Sequence, residues 1–207
     1  MRDLLKVAKE LNKLTDELME NLEAKNNEKK VELSTLQPGE VIVGDSGTEY
    51  IVLEQLGEIT AIISRKFMLE NVVFDENEPD FSKSNVLREI NDKCKPIIVD
   101  DFGADNIMPS IVNFTTVDNQ SRYEQNAFPV RLITFDEARQ YNNLIVNEEL
   151  DDYWWTLTPW STESRGWKYS VTVVSPRGFI CNNSCDNYNG VRPFLYLKSN
   201  IFVSKGE

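Results

Sequence analysis

The chain has 207 residues, 41% of them hydrophobic and 27% charged, enough to bury one core with an appended element. Its net charge of −12 excludes the Lys- and Arg-rich surface of a non-specific nucleic-acid binder. Histidine is absent, which removes Ser-His-Asp and Cys-His nucleophile activation, histidine zinc sites and the commonest general base.

No apolar run approaches the roughly 20 residues that span a bilayer. Lys6, Lys9, Glu10 and Lys13 interrupt what would be the apolar stretch of a secretory signal. A soluble protein of the cytoplasm or of a virion is expected. The charge is uneven: residues 1–33 carry 8 acids and 7 bases, 34–152 carry 23 and 9, and 153–207 carry 3 and 6. An acidic middle segment confers solubility.

Residues 3–24 read as an amphipathic helix, with Leu4, Val7, Leu11, Leu14, Leu18 and Leu22 at three-and-four spacing and Asp3 able to cap its start. A helix of this length is marginal alone in water. Its stripe packs either on its own domain or on a second copy as a short coiled coil, giving a homodimer or homotrimer. Lys25-Asn26-Asn27-Glu28-Lys29-Lys30 reads as linker, so the chain divides into 1–33, helix and linker, and 34–207, one domain.

Beyond the linker the period changes. Val41-Ile42-Val43, residues 49–54 and residues 59–64 are β-branched runs separated by turns at Pro38-Gly39, Gly44-Asp45-Ser46-Gly47 and Leu56-Gly57-Glu58, the pattern of an antiparallel meander. Ser84 caps a helix over residues 85–91, with Leu87 and Ile90 toward the core. Thr134 and Glu137 have capping-box spacing ahead of Ala138 and Tyr141. Short strands follow at Trp154-Trp155-Thr156-Leu157, residues 170–174, Gly178-Phe179-Ile180 and residues 191–197. The expected class is α+β, with antiparallel sheets and two helices.

Residues 153–196 hold all four tryptophans. Trp154 and Trp155 are adjacent, so in a strand they face opposite sides. Three tryptophans are expected to be structural and Trp160, after Pro159 and beside a Ser/Thr loop, exposed. Residues 161–166 and 181–190 read as small polar loops. Asp100-Asp101, Glu148-Glu149 and Asp151-Asp152 are adjacent acids that diverge in a strand or a helix, and Asp186-Asn187-x-Asn189 lacks the full alternating set of a calcium loop. Cys94, Cys181 and Cys185 read as reduced thiols, with a short-loop Cys181–Cys185 disulfide open in an oxidising compartment. Arg192, before Pro193, is expected to tie a loop by hydrogen bonds.

Residues 154–159 (Trp-Trp-Thr-Leu-Thr-Pro), a Ser/Gly-bearing loop, a Val-rich strand, Gly178 before an apolar pair, and Gly190-Val191-Arg192-Pro193 together resemble a bacterial and phage domain family of C-type-lectin-like fold. That family lies in the branch that includes the formylglycine-generating enzymes. The upstream order agrees, with a Gly-turn-strand opening, a helix from Ser84 to Asn91, and Phe135-Asp136-Glu137-Ala138 before the Trp pair. The likeness covers about residues 34–200. It implies a scaffold whose surface loops bind proteins or glycans, in some relatives with loops diversified by retroelements, and in several as phage or cell-surface receptor-binding proteins. The chain lacks the redox cysteine pair of the formylglycine-generating enzymes and the Trp-Asn-Asp calcium motif of sugar-binding animal lectins. The leading expectation is therefore a binding module without enzymatic activity or cofactor. Its face would be carried by Trp160, Ser161, Glu163, Arg165, Trp167, Asn182, Asn183, Asp186, Asn187 and Tyr188, and its ligand would be a protein or glycan rather than nucleic acid or membrane. The alternative is an interaction protein of a phage or mobile element whose acidic middle region binds a basic host protein. An oxygen- or metal-dependent enzyme is a third reading, which needs a bound ion.

Overall fold

The computed structural model describes residues 9, 11–15, 30–120, 123 and 125–206. Residues 9 and 11–15 are helical, with Leu11 and Leu14 exposed; the remainder of the amphipathic helix and residues 25–29 of the linker lie outside the described residues.

The expected meander is present as β2 (Val41–Val43), β3 (Glu49–Leu56) and β4 (Ile59–Ser64), paired antiparallel in sequence. Gly47 and Gly57 sit at φ +87° and +75° in its turns, a region that side chains with a Cβ rarely adopt. Two pairings extend it across long sequence separations. β1 (Lys30–Glu32) pairs with β14 (Phe202–Lys205), which also pairs with β2. β13 (Phe194–Lys198) joins β4 to the two-residue β6 (Ile107–Met108). The seven-stranded order is β1-β14-β2-β3-β4-β13-β6. The sheet thus begins at Lys30, inside the stretch read as linker. Lys30 and Glu32 look polar and solvated in sequence, yet their backbone is paired with β14.

A five-stranded sheet has the order β11-β10-β9-β12-β5, from β5 (Leu69–Val73), β9 (Trp154–Pro159), β10 (Ser170–Val174), β11 (Ile180–Ser184) and β12 (Tyr188–Val191). Its pairings are antiparallel except β12 with β9. β7 (Ser110–Val112) and β8 (Asn126–Phe128) form a separate hairpin.

Alternation along the strands builds two cores. Tyr50, Val52, Ile62, Leu195 and Leu197 face one, while Ile51, Leu53, Ala61, Ile63 and Phe194 face the other. The first is covered by helix α1 (Asn85–Glu89), a π-helical turn at Ile90–Cys94, helix α2 (Lys95–Phe102) and the inner face of the five-stranded sheet. The second is covered by α3 (Phe135–Gln140) and α4 (Asn142–Ile145). The class is α+β, mostly antiparallel.

Both expected caps form. Ser84 Oγ accepts from the Leu87 amide at 3.2 Å. Thr134 Oγ1 accepts from the Glu137 amide at 3.1 Å, while the Thr134 amide donates to Glu137 Oε2 at 2.8 Å. Val86 on α1 and Ile90 just after it are buried in the first core, and the half-buried Leu87 packs against that core.

Candidate functional site

Trp154 and Trp155 are both fully buried, one in each core. Trp155 donates from Nε1 to the Val72 carbonyl at 2.7 Å and packs edge-on against Phe74. The Arg192 guanidinium lies 4.8 Å from the Trp154 ring. It donates from Nε to the Ser64 carbonyl at 2.9 Å and from Nη1 to the Ile145 carbonyl at 2.7 Å, tying the end of β4 to the end of α4. Burial lowers its proton affinity to about 9, which leaves it charged at neutral pH. Arg192 is structural, as its setting before Pro193 suggests.

The other two tryptophans stand outside the core. Trp160 is half-buried and Trp167 is 43% exposed, their rings 6.4 Å apart in a tilted edge contact. One tryptophan is exposed, but it is Trp167; Trp160, expected in that place, is half-buried. The loop between β9 and β10 is folded on itself. Arg165 and Trp167 amides both donate to the Thr162 carbonyl at 3.1 Å, around a 3₁₀ turn at Glu163–Arg165 that ends on Gly166 at φ +83°. Lys168 pairs with Glu163 at 3.3 Å and its ammonium lies 5.3 Å from the Tyr169 ring.

Asp118 fixes this loop to the rest of the molecule. Its carboxylate accepts from Thr116 Oγ1 at 2.6 Å, from Ser161 Oγ at 2.7 Å and from Arg165 Nη1 at 2.7 Å. The Val117 amide also donates to the Pro159 carbonyl. The Thr116 hydroxyl first, then Ser161 and Arg165, hold the Asp118 carboxyl below its usual range. Ser161 is buried by this latch; it is a support of the loop and not part of its exposed face.

The stretch 181–190 is not a loop. β11 occupies residues 180–184, aligned with β10 along its whole length, and β12 begins at Tyr188. Only residues 185–187 turn between them. Asparagine and serine read as turn residues by local propensity, but the ladder with β10 overrides it. Asn182 and Asn183 are half-buried on β11, while Asp186, Asn187 and Tyr188 are exposed. Asn183 Oδ1 accepts from the Ser184 amide and from Asn187 Nδ2 at 2.6 Å, and its Nδ2 reaches Asn189 Oδ1 at 3.3 Å. The Cys185 amide donates to the Tyr169 carbonyl at 2.7 Å and its carbonyl accepts from the Asp75 amide, so the turn abuts the end of the tryptophan loop.

Of the ten expected face residues, Trp160, Glu163, Arg165 and Trp167 are gathered on one latched loop, and Asp186, Asn187 and Tyr188 on the turn beside it. Tyr169, 48% exposed, and Tyr188, 64% exposed, add aromatic area. Sequence reasoning missed Tyr169, although it lies inside the aromatic stretch, and Asp118, whose partners are 43 and 47 residues away.

A cavity of about 500 Å³ lies on the other side of the 116–120 turn, lined among others by Thr116, Asn119, Arg131, Thr134, Glu137 and Thr158. Arg131 and Glu137 form a two-point pair there at 2.8 and 2.6 Å, with the Arg131 guanidinium 4.2 Å from the Phe194 ring. Burial pushes the Glu137 carboxyl up, but the Arg131 hydrogen bonds and charge and the Thr134 contacts outweigh it, and the group sits below its usual range.

None of the three cysteines is disulfide-bonded; burial pushes Cys94 up to about 12 and also raises Cys181. Of the acids that invited a metal reading, Asp101 accepts from the Ser46 amide, Ser46 Oγ and Tyr50 Oη. Among the described residues no group of three or more Cys, Asp or Glu is arranged to hold a metal ion. No described helix is long and apolar enough to cross a membrane. Comparison of the chain with family models, with curated proteins and with solved structures gives no match.

Proposed function

We propose that the chain is a non-enzymatic binding module of C-type-lectin-like architecture, whose recognition face is the latched tryptophan loop and the neighbouring turn. The observation that carries this is the exposure of Trp167, Tyr169 and Tyr188 on segments whose backbones are tied down by Asp118 and by the Cys185–Tyr169 bond. Large apolar rings left in water on rigid supports provide contact area at little ordering loss, and the adjacent Asn, Asp, Arg and Glu side chains provide adaptable hydrogen bonds. The ligand is a protein or glycan. The concrete form, following the family resemblance, is a receptor-binding or virion-decoration protein, with residues 3–24 joining copies. Two sheets with the first and last strands paired, and an excursion carrying the tryptophan loop, are compatible with that architecture.

The test is binding of the labelled full chain to a glycan array and to a tiled array of extracellular protein domains. The reading expects spots that disappear with Trp167→Ala and with Tyr188→Ala while the thermal midpoint stays within a few degrees. Spots that survive both changes and vanish in moderate salt would instead assign recognition to the acidic region 70–152.

A further inference from the structure

Among the described residues the sheets leave several edges, and all but one carry a device that discourages pairing with another chain. β1 is short and bears Lys30 and Glu32, and β6 has two residues. β5 contains Glu70, and its Asn71 sits at φ +54° beside an irregular register with β12. β7 and β8 have three residues each. β11, five residues long like β5, is in unbroken register with its inner neighbour and has no charge, proline or glycine in Ile180-Cys181-Asn182-Asn183-Ser184.

The ladder defines what that edge offers. Bonds from the Ser175 amide to the Phe179 carbonyl and from the Cys185 amide to the Tyr169 carbonyl bracket it. Bonded and non-bonded pairs alternate in an antiparallel ladder. Cys181 and Asn183 therefore turn their backbone groups toward β10, while Ile180 and Asn182 turn theirs outward. At Ser184 the amide is taken by Asn183 Oδ1 and the carbonyl by the Asn187 amide. The edge thus presents donor–acceptor pairs at two alternate residues, a self-complementary pattern.

We propose that a second copy of this chain pairs its own β11 antiparallel with this edge, around a two-fold axis at Cys181, making one continuous ten-stranded sheet. Ile180 and Asn182 then face the partner subunit's Asn182 and Ile180 through about four hydrogen bonds. Cys181 meets the partner subunit's Cys181 as a non-bonded pair, with Cα atoms about 4.5 Å apart. Charge selects the same occupant. The strand is neutral in a chain of net charge −12, so no like charges meet along it. The exposed Arg177 and Asp186 stand beyond its two ends, and antiparallel order sets each against its opposite on the partner.

Cysteine trapping in the intact chain tests this. A cross-strand Cα separation of that size lies within disulfide range, and Cys94 and Cys185 are buried. Copper(II)–phenanthroline takes two electrons from two Cys181 thiols, which release two protons as one S–S bond forms. A disulfide-linked dimer is expected on non-reducing gels and is lost in Cys181→Ser. Arg177→Glu slows its formation about tenfold, equivalent to ~1.4 kcal/mol of association, and Arg177→Glu with Asp186→Arg restores it; both changes are on the surface and leave the fold readable by thermal melting. Asn182→Lys, which sets like charges across the axis, slows it further. No Cys181 dimer in the wild type, or equal rates in wild type, Arg177→Glu and Asn182→Lys, overturns the proposal. The readout involves no ligand, so it stands or fails separately from the recognition face.

Discussion

Four tryptophans lie within 14 residues of one another, and the molecule uses them as two opposite pairs. Trp154 and Trp155 are fully buried on one strand and serve two different cores, while Trp160 and Trp167 lean on each other at the surface. The difference arises at Pro159, where β9 ends. Before it, alternation in a strand covered on both faces buries every ring. After it, the chain is held by hydrogen bonds through Thr162 and Asp118 and no longer by packing. The buried pair and the exposed loop are therefore held by different forces.

The sharpest contrast is in stability. Trp155→Ala is expected to lower the unfolding free energy by ~3–5 kcal/mol and Trp167→Ala by under ~1 kcal/mol, read by urea denaturation with unchanged slope. Equal losses would place both rings in the frame. Next in size is Arg192→Met, which leaves the Ser64 and Ile145 carbonyls without a donor. Each unpaired buried group costs about 1–3 kcal/mol, and the loss should exceed that of any substitution in the tryptophan loop.

Glu137 gives the comparison a pH axis. Its folded carboxyl holds a proton less tightly than the unfolded one, whose ordinary value is 4.5. The stabilisation is whole above that value and fades as pH falls through the lowered native one. Wild-type stability should therefore drop below pH 4.5 more steeply than that of Glu137→Gln, measured by thermal midpoints across an acid series. Parallel curves would mean the Arg131 pair contributes nothing.

The smallest effect on folding, and the most informative for binding, is Asp118→Ala. The thermal midpoint should barely move, because the carboxylate lies near the surface. Affinity should fall on the order of tenfold as the loop loses its fixed geometry. Loss of the latch without loss of affinity would make the loop's order irrelevant to recognition.

Legibility in the sequence followed interaction range. The β2–β4 meander, the Ser84 cap, the Thr134–Glu137 box and the opposite facing of Trp154 and Trp155 rest on contacts a few residues apart, and periodicity reveals them. β1 escaped because its sheet partner, β14, is at the far end of the chain. β11 escaped because Asn182, Asn183 and Ser184 have turn chemistry and become strand only beside β10. The exposure of Trp167 and Tyr188 was legible from composition, since Tyr, Trp and Asn cluster in this part of the sequence. The Asp118 latch carries no local signature, and Ser161 was placed on the face when it belongs to the latch.

The most direct measurement is hydrogen–deuterium exchange of the full chain with and without a ligand recovered from the arrays. Protection concentrated in residues 160–169 and 185–188, with β3 and β4 unchanged, is the predicted result. Protection centred on the acidic surface of residues 70–152, with the tryptophan loop unaffected, would contradict it.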